Sequence, residues 1–235
     1  MFFLYQKKVS IFLIILLLST SLFANNFIFF VKDFLSNENV TIQDLTILQN
    51  GINNTKKIKK AEIEKILDKL SILLVADNNE LNAQSKKIKI LEIYCILAEK
   101  INVNKYIDDF IFAVKNSLYN CFVGVKIQVV ELLKIIVASD FLHKNSDGFE
   151  NLFLINSFTD QTDETVKIAI VELFIMLIEK DLEFDKAKII REIFLPNSSG
   201  TLRSRIYDLD TAIDEYNLRN TQSNNENACS LCEMF

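Results

Sequence analysis

The stretch Asp163-Glu164-Thr165-Val166-Lys167-Ile168-Ala169-Ile170-Val171-Glu172-Leu173-Phe174-Ile175-Met176-Leu177-Ile178-Glu179-Lys180 decides how the chain is read. Two acids open it and a lysine closes it, the charge order that suits the dipole of a helix. From Ile168 to Ile178 only Glu172 is polar. A helix apolar on nearly every side is buried on more than one of them, and an acid at its centre argues against a membrane span.

The same pattern recurs on both sides. Glu92, Glu131, Glu172 and Asp208 fall in one column, at spacings of 39, 41 and 36 residues. Five residues before each acid stands a base: Lys87, Lys126, Lys167 and Arg203. Directly after each acid comes an aliphatic residue: Ile93, Leu132, Leu173 and Leu209. Another apolar segment precedes each of these helices, over 61–75, 103–118, 149–158 and 184–194. Polar turns such as Asp77-Asn78-Asn79 and Pro196-Asn197-Ser198-Ser199-Gly200 punctuate the pairs. The unit is therefore helix, turn, helix, about 40 residues long, the length of a helical-hairpin repeat. Phe122 to Val129 alternates as a strand would. Its unbroken continuation to Val137 and its register with the sister copies favour a helix.

The segment from Thr159 to Leu173 resembles the second helix of a HEAT repeat. Asp160 or Asp163 fills that family's loop aspartate, Val166 and Lys167 its Val-Arg pair, and Ala169 its small residue. In the other copies Lys89, Gln128 and Arg205 replace the small residue. The resemblance covers roughly residues 56–217 and implies an all-α, right-handed α-solenoid of about four HEAT-like (armadillo-type) pairs. It also implies that the charged columns form ladders between stacked helices. Within one helix a residue five positions on lies about 140° round, so each base and its acid do not share a face.

Four regions follow. Residues 1–24 have the grammar of a secretory signal: Lys7 and Lys8, an apolar run from Val9 to Leu18, then small residues to Ala24. An uncleaved inner-membrane anchor running on to Val31 is the alternative. Residues 25–55 hold two short helices, 27–35 and 40–49, that cap the first repeat. Residues 56–219 are the repeats, and the Gln-, Asn- and Ser-rich tail 220–235 is expected to be disordered. The expected address is the periplasm or envelope of a bacterium, with membrane contact only through the amino-terminal segment.

Charge and composition narrow the function classes. Half of the 235 residues are hydrophobic, and one Pro and four Gly leave few breakers for an all-β fold. The net charge is −5; without Lys7 and Lys8, 24 bases face 31 acids, or −7. Such a chain lacks the basic stripe that nucleic acid demands. The single His143 stands in a turn composition, which argues against a Ser-His-Asp triad and His-based metal sites. Cys229 and Cys232 form a C-x-x-C outside any redox context, suited to a local or an intermolecular disulfide. Cys95 and Cys121 read as core thiols, with a bridge between them left open. No phosphate loop or nucleophile elbow occurs, so no cofactor, metal or catalytic residue is assigned. The expectation is a non-catalytic scaffold that binds a partner protein or peptide. The columns Lys87, Lys126, Lys167, Arg203, Glu92, Glu131, Glu172 and Asp208 are its candidate partner surface or structural ladder. Exposed Tyr106, Tyr119, Tyr207 or Tyr216 gathered in a groove would favour binding. An envelope hydrolase with carboxylates in the groove is the alternative.

Overall fold

The computed structural model describes residues 27–76, 81–118, 120, 122–139, 161–182 and 184–232. The leader 1–24, the apolar segment 149–158, the turn around His143, Tyr119 and Cys121 lie outside the described residues. Among the described residues there are nine α-helices and no strand. The chain divides into two compact units, residues 1–97 and 98–235.

The first unit contains α1 (27–36), α2 (Ile42–Asn54), α3 (Lys60–Val75) and most of α4 (Leu81–Lys100). A capping box starts α2: the Asp44 amide donates to Thr41 Oγ1 at 3.2 Å, and the Thr41 amide donates to Asp44 Oδ2 at 2.8 Å. Leu45, Leu48 and Ile52 then bury one stripe. The helix does not stop at residue 49, where the second capping helix was expected to end; it runs through Asn50-Gly51 to Asn54. Gly51 is there for closeness, not for a turn. A Cβ at that position would fall into the ring of Phe27, so only glycine lets α1 and α2 approach. In α3 the buried residues are Ile63, Ile66, Leu67, Leu70 and Leu74, the helical core spacing. Tyr94 of α4, fully buried, donates its hydroxyl to the Leu67 carbonyl at 3.4 Å.

The second unit continues with a 3-10 turn (Val103–Lys105), α5 (Ile107–Ser117) and α6 (Val123–Ala138). After them come α7 (Glu164–Glu179), α8 (Phe184–Phe194) and α9 (Gly200–Cys232). The deciding stretch is the hub, because α7 packs against α6, α8 and α9. Asp163 caps it, accepting from the Val166 amide at 3.1 Å. Val166, Ala169, Ile170, Val171, Leu173, Phe174, Leu177 and Ile178 are buried. Ile168, which the pattern placed in the core, is only half-buried. At its far end α7 closes in a Schellman motif: the Leu182 amide donates to the Leu177 carbonyl at 2.8 Å and the Asp181 amide to Ile178 at 2.9 Å. Asp181 takes the left-handed conformation there, with φ of 59°. The stretch that alternates like a strand is α6, a helix throughout. Its apolar residues exceed one stripe, so strand-like alternation and helical burial coexist in the same letters.

Ile93, Leu132, Leu173 and Leu209 are all fully buried, so the aliphatic column is core at each of its four positions. Among the described side chains of α9, Ile213 is the last that is buried. The helix nevertheless continues over 220–232, where the composition suggested a disordered tail. No Gly or Pro interrupts that segment, so nothing local ends a helix already begun.

Candidate functional site

Two features gather the charged columns, and both are built on α6, α7 and α9. The first is a chain of ion pairs crossing three helices. Lys134 Nζ of α6 lies 2.9 Å from Glu131 Oε1 on its own helix and 2.7 Å from Glu172 Oε2 of α7. Arg205 of α9 reaches the other oxygen of Glu172 at 3.3 Å and Asp208 at 3.1 Å. The order is Glu131, Lys134, Glu172, Arg205, Asp208, alternating in sign throughout. In the first unit Lys89 donates to Glu92 at 2.7 Å and to Gln49 Oε1 at 3.0 Å, and Gln49 Nε2 donates to Glu92 at 3.1 Å. All four acids of the column are thus engaged.

The bases that engage them come from other positions. Lys126 donates to Gln161 Oε1 at 2.6 Å, Lys167 sits 5.5 Å from the ring centre of Phe194, and Arg203 Nε donates to Tyr207 Oη at 3.2 Å. Lys87 is half-buried on α4. Lys126, Lys167 and Arg203 therefore make none of the ladder's ion pairs among the described residues. Lys89 and Arg205 occupy the place where the HEAT pattern expects a small residue; there Lys89 pairs with Glu92, and Arg205 joins the ladder. Lys134, three residues past its acid, was invisible as a member because no other copy repeats it.

The surroundings of Lys134 act on its charge in opposite directions. Burial pushes its ammonium toward neutrality, but the hydrogen bonds to Glu172 and Glu131 and the two carboxylate charges prevail. Its pKa is raised above the usual lysine value.

The second feature is a cleft of about 280 Å³ between α7 and α9. Ile175, Ile178 and Ala212 supply its apolar lining, with Glu179, Asp208, Glu215, Thr211 and Arg219 around them. Arg219 is held by Asp181 at 3.4 Å and by the Ile178 carbonyl at 3.5 Å. Nothing in the column spacing pointed to Glu179, Glu215 or Arg219. The tyrosines do not collect here: Tyr106 is buried, Tyr207 is exposed at its contact with Arg203, and Tyr216 is half-buried. Among the described residues no group of three His, Cys, Asp or Glu could hold a metal ion. No described helix is long and apolar enough to cross a membrane. Cys95 is a half-buried thiol on α4, and Cys229 and Cys232 fall on the last turn of α9.

No protein-family model matches the chain, and its comparison with curated proteins and with solved structures gives no match.

Proposed function

We propose that this is an exported, non-catalytic interaction protein, a HEAT-like right-handed α-solenoid whose surface binds a partner protein or peptide. The observation that carries the reading is the ladder from Glu131 to Asp208. It links α6, α7 and α9 side by side through residues one repeat apart, which is how second helices stack in a solenoid. A second recurrence supports it. Lys180 Nζ donates to the Ala138 carbonyl at 3.4 Å, and Arg219 repeats the contact one helix on, at the Ile178 carbonyl. Stacked second helices present one extended face, and that geometry suits a chain or a helix as ligand. The ladder consumes the acid column and leaves Lys126, Lys167 and Arg203 beside it as the recognition stripe.

Affinity capture from envelope extracts tests the reading. Wild type should enrich a discrete partner that the variant Lys126→Glu, Lys167→Glu, Arg203→Glu does not. Equal capture by both would make the stripe structural, and capture of nothing would remove the binding role. The mass of the protein from its own cells tests export: a chain starting near Asn25 is expected, and an intact Met1 on a soluble species would refute it.

A further inference from the structure

We propose that one end of the first unit docks on an anionic lipid bilayer, with Phe29 entering the headgroup layer and Lys56, Lys57, Lys59 and Lys60 meeting the phosphates. The contact is separate from the partner-binding stripe proposed above. Thr55-Lys56-Lys57-Ile58-Lys59-Lys60 joins α2 to α3, and all four of its lysines are exposed. Lys60 shares its charge with Glu64 at 3.3 Å. Lys56, Lys57 and Lys59 make no ion pair among the described residues. No acid occurs in 27–32 or 51–61, in a chain whose net charge is −5.

The fold brings Phe29 to the same end. Phe27 lies against Gly51, so the first turn of α1 sits beside the last turn of α2, and the lysine run begins five residues past that glycine. The opposite end is marked by Lys69 of α3, which donates to the Asn37 carbonyl between α1 and α2 at 2.8 Å. Phe27, Val31 and Phe34 turn into the core, while Phe29 is 74% exposed. Lys32, also exposed, follows it one turn along α1. A bare ring beside unpaired lysines suits a bilayer interface: the ring reaches the acyl boundary and the ammonium groups stay at the phosphates. Each lysine near an anionic surface adds to the attraction. Duplex nucleic acid would use the lysines and leave the ring in water. The rest of the chain, more acidic than the whole, is repelled by the same surface, which turns this end toward it.

Vesicle flotation tests it, on the protein as its own cells process it. The vesicles are phosphatidylcholine alone, and phosphatidylcholine mixed equally with phosphatidylglycerol. Wild type should float with the anionic vesicles and stay behind with the neutral ones. Lys56→Gln with Lys57→Gln should weaken anionic binding roughly twentyfold, from about fivefold for each lysine near such a surface. Lys105→Gln with Lys115→Gln removes the same charge from exposed positions of the second unit and should change binding by less than about twofold. The chain has no Trp, so Phe29→Trp carries the only indole, and its emission should shift to the blue on anionic vesicles. Bound protein with unshifted emission would overturn the proposal, as would equal flotation on both vesicle types or equal weakening by the two lysine pairs. So would release from the vesicles by equimolar duplex DNA, which would mark a nucleic-acid site. If anionic vesicles bind the protein while extracts yield no partner, the membrane contact stands and the protein-binding role falls.

Discussion

Lys134 holds carboxylates from two helices while its own side chain is only 14% exposed. Lys134→Met keeps most of the stem packing and removes the charge. Glu172 would retain Arg205, but Glu131 would lose its only ion pair among the described residues. The expected cost is roughly 1–2 kcal/mol, above an exposed pair and below a fully buried one. Urea unfolding measures it, and a change within error would show the ladder to be ornamental. The pH dependence has a defined sign. A raised folded pKa means the folded state holds the proton more tightly, so the contribution is whole below the unfolded lysine value of about 10.4. The gap between wild type and Lys134→Met should stay constant from neutral pH to that point and shrink as pH climbs through the raised value. The acids of the ladder were legible as a column because they repeat. Their true partners were not, since which cation reaches an acid depends on the facing helix, and sequence spacing along one helix does not contain that.

Helix α2 shows what an element's letters can hide. Asn50-Gly51 has turn composition, yet the glycine sits within the helix against Phe27. Gly51→Ala should gain about 1 kcal/mol in helix propensity and lose about 1–3 kcal/mol by overpacking on the ring. Net destabilisation is expected in wild type, and in a Phe27→Ala background the sign should reverse. A stabilising Gly51→Ala in wild type would mean that the ring yields freely and the close approach is unimportant. The hub helix was far more legible, because its burial follows from letters that no other environment tolerates. Leu173 is fully buried, and its replacement by Ala should cost roughly 2–5 kcal/mol. Ile168, half-buried at the edge of the same helix, should cost roughly 1–2 kcal/mol on truncation to Ala, because part of its surface already meets water. Equal losses at the two positions would contradict the burial. Nothing in an all-apolar run marks which residue faces outward. That is fixed only by where α6, α8 and α9 lie against it.

At the scale of the molecule, the scarcity of Pro and Gly correctly indicated an all-helical chain, since long helices need few breakers. The division between Leu97 and Ala98 was not legible. It falls inside α4, where the sequence carries no polar turn. The far end of α9 was misjudged in the opposite direction, because composition reports the absence of a core-facing stripe, and a helix can run on without one. From Asn217 to Thr221 every side chain is exposed, and Ile213 is the last buried residue among the described side chains. Short polar helical segments are marginal in water, so this extension should contribute almost nothing to stability. Ending the chain after Asn220 keeps Arg219 and its contacts with Asp181 and the Ile178 carbonyl. The melting temperature should then move by less than about 2 °C, the shift that under 1 kcal/mol produces in a chain of this size. The far-ultraviolet helical signal should fall only in proportion to the residues removed. A drop of several degrees would mean that 221–235, with Cys229 and Cys232, binds something that stabilises the fold, and the same truncation made under reducing conditions would tell whether the thiols are responsible.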